Sequence, residues 1–219
     1  MESATAAAPH YIGILLAAGE GMRYRAALLD ATGHEAHKLL ARLPDGRHVV
    51  QASAQTLLTT LPDTIAIVTE QPASLSAMLS DVGCQIVNVP DSPRGMGISL
   101  AAAARHLIQR PAGQTDGADT ALQATACVVA LADMPWLRAG TLQRLLAYAA
   151  RDRIVVPVYR GQRGHPVIFG TQFLPELAGL GGDTGARALL VRHGALEIEC
   201  DDAGILRDVD VPADLMNPA

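Results

Sequence analysis

The chain is poor in rings. Two Phe, one Trp and four Tyr among 219 residues make it 3% aromatic, so its core has to be built from Ala, Leu and Val. It has no basic excess either: 17 Lys and Arg stand against 22 Asp and Glu, a formal net charge of -5. That balance argues against a general nucleic-acid or membrane-surface binder and leaves a small anion to be held by a local cluster of Arg, Lys and backbone N–H groups. No apolar run approaches the roughly 18 residues that a membrane-spanning helix needs. The three cysteines, Cys84, Cys127 and Cys200, are odd in number, far apart and without a C-x-x-C pair. They read as buried free thiols of a reducing cytoplasm, the expected location. The opening MESATAAAPH has neither the basic region nor the apolar core of a signal peptide, and residues 1–10 are expected to form a flexible tail.

What is present is a chain 49% hydrophobic, long enough for one or at most two domains. A domain of this size buries roughly 70% of the surface of its unfolded chain. Tyr11–Ala17, Thr64–Thr69, Gln85–Val89 and Ala126–Ala132 are short, almost wholly apolar runs, the mark of strands covered on both faces. Arg153–Tyr159 is a fifth, and Pro157 predicts an edge or end strand. Apolar residues at helical spacing mark Val49–Leu61, Ala73–Val82, Ile98–Ile108 and Ala139–Ala149. Alternating strands and helices predict an α/β layer fold with a mostly parallel sheet. Past residue 159 the pattern changes. Arg163–Phe169 reads as a hairpin-like return, followed by helices near Gln172–Ala178 and Thr184–His193 and short strands at Leu196–Cys200 and Leu206–Val209. Arg110–Thr125, rich in Gly, Thr, Ala and Asp, reads as a surface loop.

Six stretches carry chemistry. Ala17–Arg23, AAGEGMR, is not a Walker loop, because no G-K-[ST] follows. Nor is it a dinucleotide fingerprint: Gly19 and Gly21 form G-x-G, but Tyr24 occupies the third glycine position. What remains is a small-residue turn at the carboxyl end of a strand, where backbone N–H groups can approach phosphates without an intervening Cβ. Arg23 adds a forked donor. In Ala130–Pro135, ALADMP, Asp133 follows a buried strand, where open parallel sheets bind their ligands. A lone carboxylate there suits Mg²⁺, which fills its shell with water and substrate phosphates; a turn or helix-capping role is the alternative. In Ser92–Ala104, Gly95 and Gly97 precede a helix whose first turn holds Ser99, a setting for an anion or base carbonyl or for capping alone. Tyr159–Phe169 places His165 before a proline, in extended backbone, near Arg160 and Arg163. Gly181–Leu190 puts Asp183 and Arg187 at a glycine-rich helix start, an anion site or a capped turn. In Asp208–Leu215, Asp208 and Asp210 alternate about Val209, so both carboxylates face one side. The HEAH of residues 34–37 has i, i+3 spacing, not the i, i+4 of the helical zinc motif. It reads as solvent-exposed loop histidines rather than, with His48, a transition-metal site.

In this order the pieces resemble the molybdenum cofactor cytidylyltransferases, within the MobA-like NTP transferases. The family pattern LAAGxSxRMG..K, GMxxSL, LxDxP, GHPVLF, GDxGAR and DIDTPxD is similar to LAAGEGMR, GMGISL, LADMP, GHPVIF, GDTGAR and DVDVPAD here, from residue 12 to about 215. The resemblance implies a Rossmann-like three-layer α/β/α sandwich formed by a single domain over 11–219, with a nucleotide-binding part over about 11–135 and an acceptor-binding part over about 136–219. It implies Mg²⁺-dependent transfer of CMP from CTP to the phosphate of the molybdenum–pterin cofactor, with Mn²⁺ as the alternative metal. The products are molybdopterin cytosine dinucleotide and pyrophosphate. The alternatives are a related transferase using GTP or another phosphate acceptor, and a non-catalytic cofactor carrier. LAAG matches the cytidylyl branch, the guanylyl branch reading LAGG.

The implied catalytic residues are Arg23, Lys38 and Asp133. The nucleotide would lie against Leu16, Ala17, Ala18, Gly19, Gly21, Gly97 and Ser99 together with those three. Gly164, His165, Asp183 and Arg187 would face the acceptor, and Asp133, Asp208 and Asp210 would hold the metal. A molybdenum hydroxylase or its chaperone is the implied transient partner. The family Lys follows closely behind the Arg; here residues 24–37 intervene. KLLARLPDG from Lys38 still resembles the expected continuation, so Lys38 takes the role, and the insertion is read as a lid, a partner surface or a specificity element.

Overall fold

The computed structural model describes residues 9–19, 21–32, 36–70, 72–90, 95–110, 124–182 and 185–216. Residues 1–8 of the expected tail, most of the 110–125 loop, His34 and Asp183 lie outside the described residues. His10 is tied down: its carbonyl accepts from the Thr125 N–H at 2.7 Å.

The apolar runs form strands because each is covered on both faces. β1 (Tyr11–Leu16), β2 (Thr64–Thr69), β3 (Gln85–Val89) and β4 (Ala126–Leu131) are parallel and lie in the order β3-β2-β1-β4. Alternation sends Ile12, Ile14, Ile65 and Ile67 to one core and Leu15, Ala66 and Val68 to the other. Burying each of the larger of these side chains contributes about 1.5–3 kcal/mol. Helices cover both sides. α4 (Met96–Gln109) and α6 (Leu174–Ala178) close the first core, and α2 (Val49–Thr60) and α3 (Ala73–Asp81) close the second. The result is the three-layer α/β/α sandwich.

Beyond β4 the sheet turns antiparallel. β7 (Val167–Gly170) pairs β4, and β5 (Ile154–Tyr159) pairs β7, with β6 (Gln162–Arg163) completing a hairpin with β5. β8 (Leu196–Glu199) runs parallel to β5 on its other side. Pro157 therefore does not mark an edge. β5 has partners on both sides, and the proline is tolerated because the return strand is interrupted beside it at Gly164–Pro166, where the Pro157 carbonyl accepts from Gly164 N–H at 3.0 Å. α5 (Ala139–Leu146) stops short of the predicted Ala149, and α7 (Arg187–His193) precedes β8.

Two further expectations change. Leu206–Val209 is not a strand: Ala203–Leu206 is a 3-10 turn, and Val209 follows in irregular backbone. Val209 is fully buried and donates its N–H to the Asp133 carbonyl at 2.9 Å, so one isolated bond does the anchoring that a strand ladder would have done. The insertion begins as a helix, α1 (Met22–Thr32), with Tyr24 buried and Leu28 one turn on packed against the same core. Among the described residues no helix is long and apolar enough to cross a membrane.

Candidate active site

β1 and β4 lie side by side in register, Leu16 opposite Leu131. The chain leaves each at the same sheet edge, and sheet order reverses there, since β2 and β3 extend to one side of β1 and β4 to the other. This is where open α/β sheets leave a crevice for ligands. The turn after β1 and Asp133 after β4 line one cavity of about 380 Å³, together with Lys38 and the start of α4.

Lys38 reaches this point because the chain doubles back through α1. Its side chain is buried, with Nζ 2.5 Å from Asp133 Oδ2 and 3.6 Å from Asp210 Oδ1. Arg23, on the first turn of α1, donates from Nη1 to the other Asp210 oxygen at 2.6 Å. Asp210 is held in turn by Asp214, whose Oδ2 accepts from the Asp210 and Val211 N–H groups at 2.8 Å each. Two cations and two carboxylates from four separated stretches thus form one chain of contacts. Gly21 leaves room for it: φ is +62°, and a Cβ there would stand 2.8 Å from Lys38 Cγ. Only glycine meets both demands at low energy.

Others of the sequence-predicted residues divide among four places. Leu16, Ala18, Gly19, Gly21 and Ser99 line this first cavity with Lys38 and Asp133. Ala17 turns into the core, its N–H paired with the Ile67 carbonyl at 2.9 Å. Gly97 backs onto another turn: its N–H donates to Gly182 O at 3.0 Å, and a Cβ would come within 2.8 Å of that oxygen. Gly164, His165 and Arg187 line a second cavity, of about 530 Å³, which shares Leu16 and Met96 with the first. Its walls are largely apolar, Val129, Val156, Val167 and Phe169 among them, and Arg163 stands at it, paired with Glu197 at 2.8 Å. Arg163 is the local positive charge expected beside His165, whereas Met96 carries no role in the sequence assignment. Met96 stood inside the GMG motif but was overlooked beside its glycines.

Charge in the site is strained in a consistent direction. The Asp208 carboxyl is held above its ordinary range by burial and by the neighbouring Asp210 and Asp133 charges. Among the described residues Asp133 Oδ1 is buried with no hydrogen-bond partner. Burial pulls the His165 imidazole down, opposed by a hydrogen bond to the Val129 backbone and by the Asp133 charge, and its Nδ1 is buried without a partner. Among the described residues no group of three or more His, Cys, Asp or Glu is placed to hold a metal by protein atoms alone.

A family model described as the MobA-like NTP transferase domain matches residues 13–197. The purine catabolism protein PucB of Bacillus subtilis is 28% identical over 93% of each chain. The molybdenum cofactor cytidylyltransferase of Escherichia coli is 25% identical over 60% of each. Among solved structures, Rv0371c of Mycobacterium tuberculosis superposes with a TM-score of 0.74 at 27% identity, covering 96% of this chain and 97% of that one. The same protein has also been solved in complex with manganese.

Proposed function

Since the chain belongs to the MobA-like NTP transferase domain family, and is a nucleotidyltransferase of that type, we propose that it transfers CMP from CTP to the phosphate of the molybdenum–pterin cofactor. A phosphate oxygen of the acceptor attacks the α-phosphorus of CTP, the bond from that phosphorus to the bridging oxygen breaks, and pyrophosphate leaves. The observation that carries the reading is the Asp133–Lys38–Asp210–Arg23 chain of contacts beside a cavity that shares a wall, Leu16 and Met96, with a second cavity. Likeness to a molybdenum cofactor cytidylyltransferase supports the choice of acceptor.

In this reading the turn at Ala18, Gly19 and Gly21 presents backbone N–H groups to the nucleotide, with Ser99 across the cavity. Lys38 and Arg23, which face carboxylates in the free protein, turn to the triphosphate and offset the charge that develops as pyrophosphate departs. Asp210 holds both cations in reserve until then. Gly164, His165 and Arg187 orient the acceptor, whose phosphate approaches past Leu16 and Met96. No side chain forms a covalent bond; catalysis is positioning and charge neutralisation.

The residues present fit a divalent cation. Asp133 Oδ1, buried and without a hydrogen-bond partner among the described residues, lies near Asp208, whose carboxyl is held above its ordinary range by burial and by the Asp210 and Asp133 charges; these are hard-oxygen donors of the kind a divalent cation takes. Asp133 with Asp208 or Asp210 would hold Mg²⁺ or Mn²⁺, and such an ion, when bound, neutralises charge on the reacting phosphates. Too few protein ligands for a closed site is the usual state for Mg²⁺, which completes its shell with phosphates and water.

The test is to incubate the purified chain with the cofactor, Mg²⁺ and each nucleoside triphosphate in turn, and to measure pyrophosphate and dinucleotide. Turnover with CTP well above GTP is expected. Equal use of GTP sinks the cytidine assignment, and no pyrophosphate with any triphosphate leaves a carrier.

A further inference from the structure

Met96 stands at the junction of the two cavities. Among the described residues it and Leu16 are the ones that line both. Leu16 ends β1 and is held there by packing against the first core. Met96 opens α4 and is 46% exposed, a large apolar side chain that belongs to neither core. Its backbone root is fixed. Gly95 enters the helix at φ +138°, and its carbonyl accepts from the Ile98 and Ser99 N–H groups at 3.1 and 3.2 Å. The next residue after Met96, Gly97, donates its N–H to the Gly182 carbonyl at 3.0 Å, and a Cβ there would stand within 2.9 Å of the Gly181 and Gly182 oxygens. The first turn of α4 therefore sits directly on backbone that leads to the acceptor wall. From that root the thioether reaches across. Its Sδ lies 3.4 Å from where a Cβ on Gly185 would be, and Gly185 lines the second cavity while Gly95 and Ser99 line the first.

We propose that Met96 is a specificity-determining residue of the transfer: its side chain fills the junction between nucleotide and acceptor and keeps water from the α-phosphorus of the bound triphosphate. The inference rests on the transferase reading above and adds to it the choice of nucleophile. Water competes with the acceptor for the same electrophile. Where water wins, its oxygen bonds the α-phosphorus, the bond from that phosphorus to the bridging oxygen breaks, CMP and pyrophosphate are released, and a proton passes to solvent. Closing the reacting centre to water prevents such side reactions. Methionine suits a place that has to be closed before the acceptor arrives and passable once it does. It is unbranched and flexible and fills an irregular gap without imposing one shape, whereas a β-branched residue is stiff at χ1. The polar groups stand on either side of it, Lys38 and Asp133 in the first cavity and His165 and Arg187 in the second. Met96 between them offers water only a weak sulfur acceptor.

The experiment compares the intact chain with Met96→Ala and Met96→Leu, each given CTP and Mg²⁺, first without the cofactor and then with it. CMP and dinucleotide are measured separately. Without the cofactor, CMP release by Met96→Ala is expected to exceed wild type about tenfold or more, the low end of the roughly 10–200-fold discrimination that an apolar contact supplies. With the cofactor, the ratio of CMP to dinucleotide rises by a similar factor. Met96→Leu restores the apolar volume and brings both readings back toward wild type. Melting temperatures stay near wild type, because the side chain is nearly half exposed. A structural defect lowers hydrolysis and transfer together, so unchanged or reduced CMP release by Met96→Ala overturns the role. A second arm needs no turnover. The Met96 methyl resonance in a ¹³C-methyl-methionine spectrum, assigned by its loss in Met96→Ala, shifts with CTP and Mg²⁺ alone and with the cofactor alone; a shift with only one of them overturns the shared position. A wild type that releases no pyrophosphate from any triphosphate removes the transferase reading and this inference together. A wild type that makes dinucleotide, beside a Met96→Ala of unaltered selectivity, removes this inference alone.

Discussion

Lys38 Nζ and Asp133 Oδ2 stand 2.5 Å apart across 95 residues of sequence, with only 11% and 17% of the two side chains exposed. Neither residue has a comparable partner among its own sequence neighbours, so the contact exists only because the Lys38 turn and the end of β4 meet over the same cavity. The pair places one cation and one carboxylate where a metal-bound triphosphate would need both.

Asp133→Asn removes the charge while keeping the shape. Turnover is expected to fall at least about 100-fold, the scale of losing a preorganised transition-state contact. Lys38→Ala should lower kcat/KM for the nucleotide in the same direction. Pyrophosphate release measured on both variants decides it: near-wild-type rates with Asp133→Asn would mean the metal is held elsewhere.

Gly21→Ala faces two obstacles. A left-handed backbone costs an L-residue about 1–2 kcal/mol, and the new Cβ meets Lys38 Cγ at 2.8 Å. Nucleotide use and thermal stability should both drop. In a Lys38→Ala background the steric part vanishes and the backbone part remains, so the stability losses of the two substitutions should fall short of additive. Strict additivity in a double-mutant cycle would contradict the contact.

Arg23→Ala should separate stability from activity. The Arg23 side chain is 81% exposed, and exposed ion pairs contribute about 0–1 kcal/mol. Its melting curve should match wild type while nucleotide affinity declines, a result readable by titration calorimetry. A large fall in melting temperature would assign Arg23 to the fold instead.

Asp202→Ala should do the opposite. This carboxylate is 2% exposed and accepts from Arg138 N–H at 3.0 Å, Thr141 Oγ1 at 2.6 Å and Gly204 N–H at 2.9 Å. Leaving those donors unpaired costs about 3 kcal/mol in all, at about 1–3 kcal/mol per buried group. Roughly 6–12 °C of melting temperature follows for a chain this long. The residual folded enzyme should keep its nucleotide KM, because Asp202 pins α5 to the 3-10 turn at Ala203, away from the cavity.

Acid should act through His37. Its pKa is lowered from 6.5 in the unfolded chain to about 4 in the fold, so folding requires the neutral ring. The stability it contributes is complete above about pH 6.5, declines as pH falls from there, and is gone below 4. Denaturant melts from pH 7 to 4 should show a slope that flattens in His37→Asn. An identical slope in both proteins would place the acid sensitivity elsewhere.

The strands and the long helices were legible because their signals are local. Continuous apolar runs such as Ile65–Val68 have no exposed face to offer, and α4 keeps one apolar stripe over fourteen residues. The errors share a cause. Pro157 looked like an edge residue because its missing N–H is visible in sequence while the interruption of its partner strand at Gly164–Pro166 is not. Leu206–Val209 looked like a strand because Val209 is buried between two acids, although a single bond to Asp133 O is what buries it. α1 lies inside the insertion even though Tyr24 and Leu28 carry a helical spacing, and His37 looked idle because its partner, the Leu39 N–H, is a backbone group that no side-chain motif advertises.

The sequence by itself determined the alternation of strands and helices, the small-residue turn after β1 and an acidic residue at the end of β4, since these follow from side-chain volume, polarity and backbone freedom within a few residues. Which cation meets which carboxylate was decided only by tertiary structure. The register of β1 on β4 brings Gly19 and Asp133 to one sheet edge, the packing of Tyr24 turns α1 back, and Val209 pins Asp210 beside both. Those are contacts between segments up to 187 residues apart, and their geometry depends on how the layers pack.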